Sequence, residues 1–160
     1  MKKILPFALL LLLFLPFISC SDDKENEIET LVTYNDLPAI AQKFLSDYFG
    51  GKDNVSKIEK DSEENVIFYE VDLKDGFEIV FNEAGYWQEI DAPYGSVIPT
   101  SILPEPIQQT LSERFHGYGV IEINTTGENY HLVLSDNQGG ASLDLIFNQS
   151  GEIISTGEMD

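Results

Sequence analysis

Apolar positions recur along this chain in two alternating spacings. Leu37, Ile40, Ala41, Phe44, Leu45 and Tyr48 follow the i, i+3, i+4, i+7 rhythm that puts one apolar stripe on a helix. Asn35 is placed to cap that helix, Pro38 falls in its first turn, and Gly50-Gly51 supplies the stop. The rhythm then changes. Ile67, Tyr69, Val71 and Leu73 alternate with Phe68, Glu70, Asp72 and Lys74, the period of a half-buried strand. Asp75-Gly76 predicts a hairpin turn, and Phe77, Ile79 and Phe81 return on the buried side. Asn82 to Gly85 turns again, a strand runs from Tyr86 to Ile90, and a shorter one precedes the set near Val55–Glu59.

The same grammar follows a second time. LPAIAQKFLSDYF at 37–49 is matched by LPEPIQQTLSERF at 103–115, an offset of 66. FEIVFNEAG at 77–85 and LDLIFNQSG at 143–151 share that offset, whereas Tyr69–Leu73 and Tyr130–Leu134 are offset by 61. The second helix takes Ser101 as its cap, carries Pro104 and Pro106 in its first turn, buries Ile107, Leu111 and Phe115, and ends at His116-Gly117. Strands are expected at Val120–Ile123, Tyr130–Leu134, Leu143–Phe147 and Glu152–Ser155. The expected fold is therefore α+β and two-layered: a tandem repeat (31–91 and 97–157) of helix plus antiparallel β-meander, forming a curved antiparallel sheet with helices on one face. Residues 91–102, with Pro93, Gly95 and Pro99, join the copies.

The N-terminus has a different pattern. Lys2-Lys3 precede an apolar run from Ile4 to Ile18, interrupted by Pro6 and Pro16 and ending at Ser19-Cys20. That is the layout of a secretory signal, shorter than the roughly 20 residues a spanning helix needs. An N-terminal anchor helix or a buried core helix is the alternative. Leu15 to Cys20 resembles a bacterial lipobox, with Phe17 where Leu is usual. The resemblance implies a signal peptide over 1–19, lipidation of Cys20, and a tether over 20–30 leading to a domain over 31–160. Ser21-Asp22-Asp23-Lys24-Glu25 also resembles the acidic export signal of some surface lipoproteins; a plain solvated linker reads equally well. Membrane attachment by lipid, at the cell surface or facing the periplasm, is the expected location.

Charge narrows the function. The residues before Cys20 hold two lysines and no acid, so the 141 residues from Cys20 onward carry −21 against −19 for the whole chain. Such a surface repels nucleic acid and anionic head groups. It serves solubility or meets a basic partner. Cys20 is the one cysteine, so no internal disulfide is possible. Two histidines, His116 and His131, are the available imidazole bases, and no nucleophile–base–orienter set accompanies either. No Cys/His cluster has zinc spacing, and Asp136, Asn137 and Asp144 lack the spacing of a calcium loop. No enzyme, metal or cofactor is expected.

The motifs Leu37-Pro38, Tyr69-x-Val71, Asp75-Gly76-Phe77-Glu78-Ile79-x-Phe81 and Gly85-x-Trp87, with Leu103-Pro104, Phe115, Tyr130, Phe147 and Gly151, resemble the PepSY-like, β-lactamase-inhibitor-like family of secreted proteins. The resemblance spans about 31–157 and departs where Asp136 to Gly140 replaces the short turn and where Ile153 replaces Trp87. It implies helices on one face of a sheet and a non-enzymatic role outside the cytoplasm. The outward sheet face is the candidate binding surface: Phe68, Glu70, Asp72, Glu78, Val80, His131, Val133, Asp144 and Ile146. Helices or loops covering its apolar members would make it ordinary core. Protein or peptide binding, with an inhibitor-like role included, is the first expectation. A structural or accessory lipoprotein of a larger envelope assembly is the second.

Overall fold

The structure, a computed structural model, describes residues 29–63, 66–136 and 142–159. The expected signal segment, Cys20 and most of the tether, and the turn over 137–141, lie outside the described residues. The elements run β1 (Thr30–Leu31), α1 (Ala39–Tyr48), β2 (Val55–Glu63), β3 (Val66–Leu73), β4 (Glu78–Asn82), β5 (Trp87–Asp91), α2 (Glu105–Arg114), β6 (Tyr118–Thr126), β7 (Asn129–Asp136), β8 (Ser142–Phe147) and β9 (Ile153–Met159). The strands form one nine-stranded sheet in sequence order, every neighbouring pair antiparallel. The class is α+β, with two α-helices among the described residues.

Alternation in the strands decides where the helices go. Tyr69, Val71 and Leu73 of β3, Ile79 and Phe81 of β4, Ile90 of β5, Ile123 of β6, Leu132 and Leu134 of β7, and Leu145 and Phe147 of β8 are buried in one cluster. Ala41 and Leu45 of α1 and Ile107 and Leu111 of α2 join that same cluster. Phe44 of α1 meets Phe81 edge-on at 5.8 Å and Trp87 at 6.2 Å, and Trp87 lies 6.2 Å from Tyr130. These ring contacts tie the first helix to strands of both halves. Both helices thus cover one side of the sheet, and one core runs through the domain.

Both helices begin three residues later than the sequence suggests. Asn35 and Ser101 do not cap them; each sits in a short 3-10 turn, Tyr34–Asp36 and Thr100–Ile102. Pro38 and Pro104 occupy the cap positions instead. A proline offers no N–H and disfavours helical backbone in the residue before it, so Leu37 and Leu103 are extended. The helix starts are tied by side chains further in: Gln42 Nε2 donates to the Leu37 carbonyl and Gln108 Nε2 to the Leu103 carbonyl, both at 2.8 Å. At the other end Gly50 takes φ +76 and stops α1 as expected. Strands β2 and β6 run longer than their apolar cores predict, because pairing to β3 and β7 extends through polar ends such as Asp61-Ser62 and Thr125-Thr126.

Two glycines set the distance between helices and sheet. Gly85 and Gly151 follow β4 and β8 with φ +88 and +80. A side chain on Gly85 would lie 2.7 Å from Pro38 Cβ, and one on Gly151 would lie 2.5 Å from the Pro106 carbonyl oxygen. Each β-turn therefore seats directly against the start of a helix. Thr110 Oγ1 closes the second seat by donating to the Gly151 carbonyl at 2.9 Å. Gly127 also has positive φ, +63, but a side chain there would meet nothing within 4 Å. Gly151→Ala is expected to cost more than about 2 kcal/mol, the sum of left-handed strain and a clash with rigid backbone. Gly127→Ala is expected to cost about 1 kcal/mol, the strain alone. Urea unfolding of the two variants measures the difference; equal losses would contradict the close seating of turn on helix.

Candidate functional site

The side of the sheet away from the helices is built by the residues that alternate with the core. Pairing arranges them in rows. One row runs Glu59, Glu70, Val80, Glu89, Asn124, His131, Ile146 and Ser155 across eight strands. The next runs Lys57, Asp72, Glu78, Asp91, Glu122, Val133, Asp144 and Gly157. A third places Asp61, Phe68 and Asn82 side by side. All nine positions named from the sequence fall in these rows, opposite the helices.

Val133 departs from its expected exposure. It is 3% exposed, so no open apolar patch runs through it. Its direct neighbours across the strands are Glu122 and Asp144. Phe68, Val80 and Ile146 are half-buried. The apolar members are sunk among polar neighbours, with no helix over them.

Acid dominates the face. Glu59 faces Glu70, Asp72 faces Glu78, Glu78 faces Asp91, and Asp91 faces Glu122. Directly opposed residues on neighbouring strands lie close enough to interact strongly, and like charges there destabilise a sheet. Three consecutive steps, Asp72 to Glu78 to Asp91 to Glu122, form a ladder of carboxylates. Lys57 opposes Asp72 and is paired to Glu59 at 2.5 Å. Sequence reasoning missed Glu59, Asp61, Glu89, Asp91 and Glu122. The period-two triplets Glu89-Ile90-Asp91 and Glu122-Ile123-Asn124 carried the signal, but short strands read only by their apolar residues do not yield it.

The electrostatic consequence appears in protonation. Glu70, Glu89 and Asp91 are all held above their ordinary values, first by burial and then by neighbouring acids. For Glu89 the neighbours are Asp91, Glu122 and Glu70; for Asp91 the main one is Glu122. Carboxylate oxygens of Glu89, Asp91 and Glu122 come within 4.8 Å of one another, a hard oxygen set of the kind that divalent cations accept. It arises from cross-strand neighbours, which spacing along the chain does not reveal. Asn124 Nδ2 donates to Glu122 at 2.7 Å and orients it.

At the far side, His131 Nε2 lies 2.6 Å from Asp144 Oδ1 across one strand step. A base and an orienter become catalytic only with a nucleophile. The hydrogen bonds of the described residues bring no hydroxyl to this pair, so it reads as a cross-strand tie. His116 is exposed just beyond α2.

The chain belongs to the PepSY-like family. The family described as "Putative beta-lactamase-inhibitor-like, PepSY-like" matches twice, over residues 23–81 and 67–155. Three crystal structures share the fold. One, described as a periplasmic protein of unknown function from Bacteroides vulgatus, is 25% identical with a TM-score of 0.69, covering 82% of this chain and 99% of that one. A second from Bacteroides vulgatus, also described as periplasmic, is 22% identical with a TM-score of 0.70, covering 86% and 98%. A third, described as a calcium-regulated periplasmic protein from Bacteroides thetaiotaomicron, is 23% identical with a TM-score of 0.70, covering 81% and 96%. No curated protein matches the chain.

The acidic face sets a pH dependence. A carboxyl whose pKa is raised by folding binds its proton more tightly in the folded state. Stability therefore rises as pH falls through the folded values of Glu70, Glu89 and Asp91 toward their ordinary values of 4.5 and 3.8. Asp36 is lowered by its bonds from Thr33, and its opposite contribution is lost only below 3.8. The melting temperature is expected to climb as pH falls from neutral toward the ordinary glutamate value of 4.5, against the usual acid trend. Asp91→Asn should raise stability at pH 7 by about 0.5 kcal/mol, a small figure because solvent screens a half-exposed carboxylate, and should flatten the climb. Calorimetry across pH checks both, and a variant less stable at pH 7 would contradict the repulsive reading.

Proposed function

We propose that this protein is an exported, non-enzymatic binding module whose open sheet face holds a basic segment of a partner protein. The carboxylate ladder Asp72–Glu78–Asp91–Glu122 carries the reading. Stability alone would select against like-charged cross-strand contacts in succession, and residues that break a local rule without structural gain mark function. A row of Lys or Arg side chains laid across the strands would relieve that repulsion and be steered in by it. Family membership supports a non-catalytic role, and the periplasmic description of the similar structures supports export. We also read the domain as duplicated, with boundaries near 31–91 and 97–157, on the shared offset of 66 and the two matches to one family.

Fluorescence anisotropy with a lysine-rich peptide tests the reading. Binding is expected to weaken steeply with salt, to be absent for a glutamate-rich peptide, and to be lost in Glu89→Gln/Asp91→Asn/Glu122→Gln. Neutralising Glu105 and Glu113 on α2 should leave it unchanged. Calcium-dependent stabilisation without peptide binding would replace this reading with a cation site at Glu89, Asp91 and Glu122.

Lipid attachment at Cys20 is the second part of the proposal, supported by the apolar run from Ile4 to Ile18 directly before Ser19-Cys20. Metabolic labelling with an alkyne fatty acid should mark the native protein and not Cys20→Ala. That variant should also move from the membrane to the soluble fraction; a membrane-bound Cys20→Ala would point to an uncleaved anchor.

A further inference from the structure

To one side of the carboxylate ladder, one or two residues along the strands from Asp91, Glu122 and Val133, lies a cavity of about 250 Å³, lined in part by Ala92, Pro93, Val97, Ile121 and Ser135, with Tyr94 at its edge. Its place is fixed by the sheet. Ala92 follows Asp91 directly, and its N–H donates to the Ile121 carbonyl at 2.9 Å. Ile121 precedes Glu122, the last acid of the ladder, and is the extra residue at the register shift between β6 and β7. Ladder and cavity are therefore neighbours.

The turn that carries Tyr94 is braced. Ser96 N–H donates to the Pro93 carbonyl at 3.0 Å, and Gly95 takes φ +82, the geometry of a type II turn. Ile98 N–H ties the departing chain to the Val120 carbonyl at 2.8 Å. On the other side a side chain at Gly76 would meet Pro93 Cβ at 3.0 Å, so the β3–β4 turn presses against this one. Yet Tyr94 is fully exposed, at 105%, and Val97 is 50% exposed. A tight, tied turn that presents an aromatic ring to solvent contributes nothing to the core. An exposed tyrosine on a tied backbone beside an apolar hollow has the features of an interface anchor, since no backbone entropy remains to be lost when a partner orders against it.

We infer that this cavity, edged by Tyr94, takes one apolar side chain of the basic segment whose charges lie along the carboxylate ladder. The inference rests on the binding role proposed above and adds a specificity pocket to it. Size fits, since an apolar cavity of roughly 150 Å³ already accepts a benzene. Charge complementarity names the occupant: a segment lying over Asp91 and Glu122 brings lysine or arginine, and the hollow flanking those two acids takes a leucine- or phenylalanine-sized group from it.

The test compares two fluorescein-labelled lysine-rich peptides that differ in one central residue, leucine or serine, on the full domain. The native protein is expected to bind the leucine peptide about tenfold more tightly. Tyr94→Ala, and Ser135→Phe filling the hollow, should each collapse that preference while leaving the serine peptide's affinity and the melting temperature unchanged. Equal affinity of the two peptides for the native protein would overturn the pocket and leave the charged face standing. A preference that survives both variants would overturn it as well. Binding of neither peptide would sink the proposed role, and the pocket with it.

Discussion

Everything in this molecule depends on one sheet face being buried by both helices. Each strand alternates, so burying one set of residues fixes the other set on the far side. Neither Phe81 nor Phe147 can shift by one residue without turning the outward residues of its own strand into the core. The glycine seats at Gly85 and Gly151 hold that arrangement by letting the turns touch the helix starts. The charged face is thus as rigidly specified as the core, although its own contacts are mostly unfavourable.

That coupling explains how the acidic ladder persists. Single carboxylates on a helix surface can rotate apart in water. Asp72, Glu78, Asp91 and Glu122 stand on neighbouring strands held by backbone bonds, and their separation is set by the sheet. The core supplies the stability against which this repulsion is set, and Asp91, held above its ordinary value first by burial and then by Glu122, carries part of it.

The legible part of this structure was the part written in periodicity. Leu37 to Tyr48 and Ile67 to Phe81 announced their elements because apolar spacing is a local property. The helix starts were misplaced at Asn35 and Ser101 because Pro38 and Pro104 override side-chain capping there. Half of the candidate face was readable from β3, β4, β7 and β8. Glu122 was not readable beside Glu89 and Asp91, because it joins them through pairing between β5 and β6, which are distant in the chain and joined through α2. The hollow at Tyr94 was illegible for the same reason: it is made by a linker lying against a strand of the other half.

The face is also uneven, and the unevenness gives it a direction. Carboxylates crowd β2 to β6, where Lys57 is the cation within the paired rows. Across β7 and β8 the same rows carry His131, Val133 and Ile146, and Asp144 is occupied by His131. A basic segment lying along the rows would meet strong attraction over the first half and apolar or neutral contacts over the second. Reversed, it would set its charges over the half-buried Ile146 and the His131–Asp144 pair and leave the ladder uncompensated. Solubility does not require such a gradient, since charge spread evenly over the surface would serve it as well. On the binding role proposed above, a one-sided arrangement on a fixed sheet would select the orientation of the segment it holds.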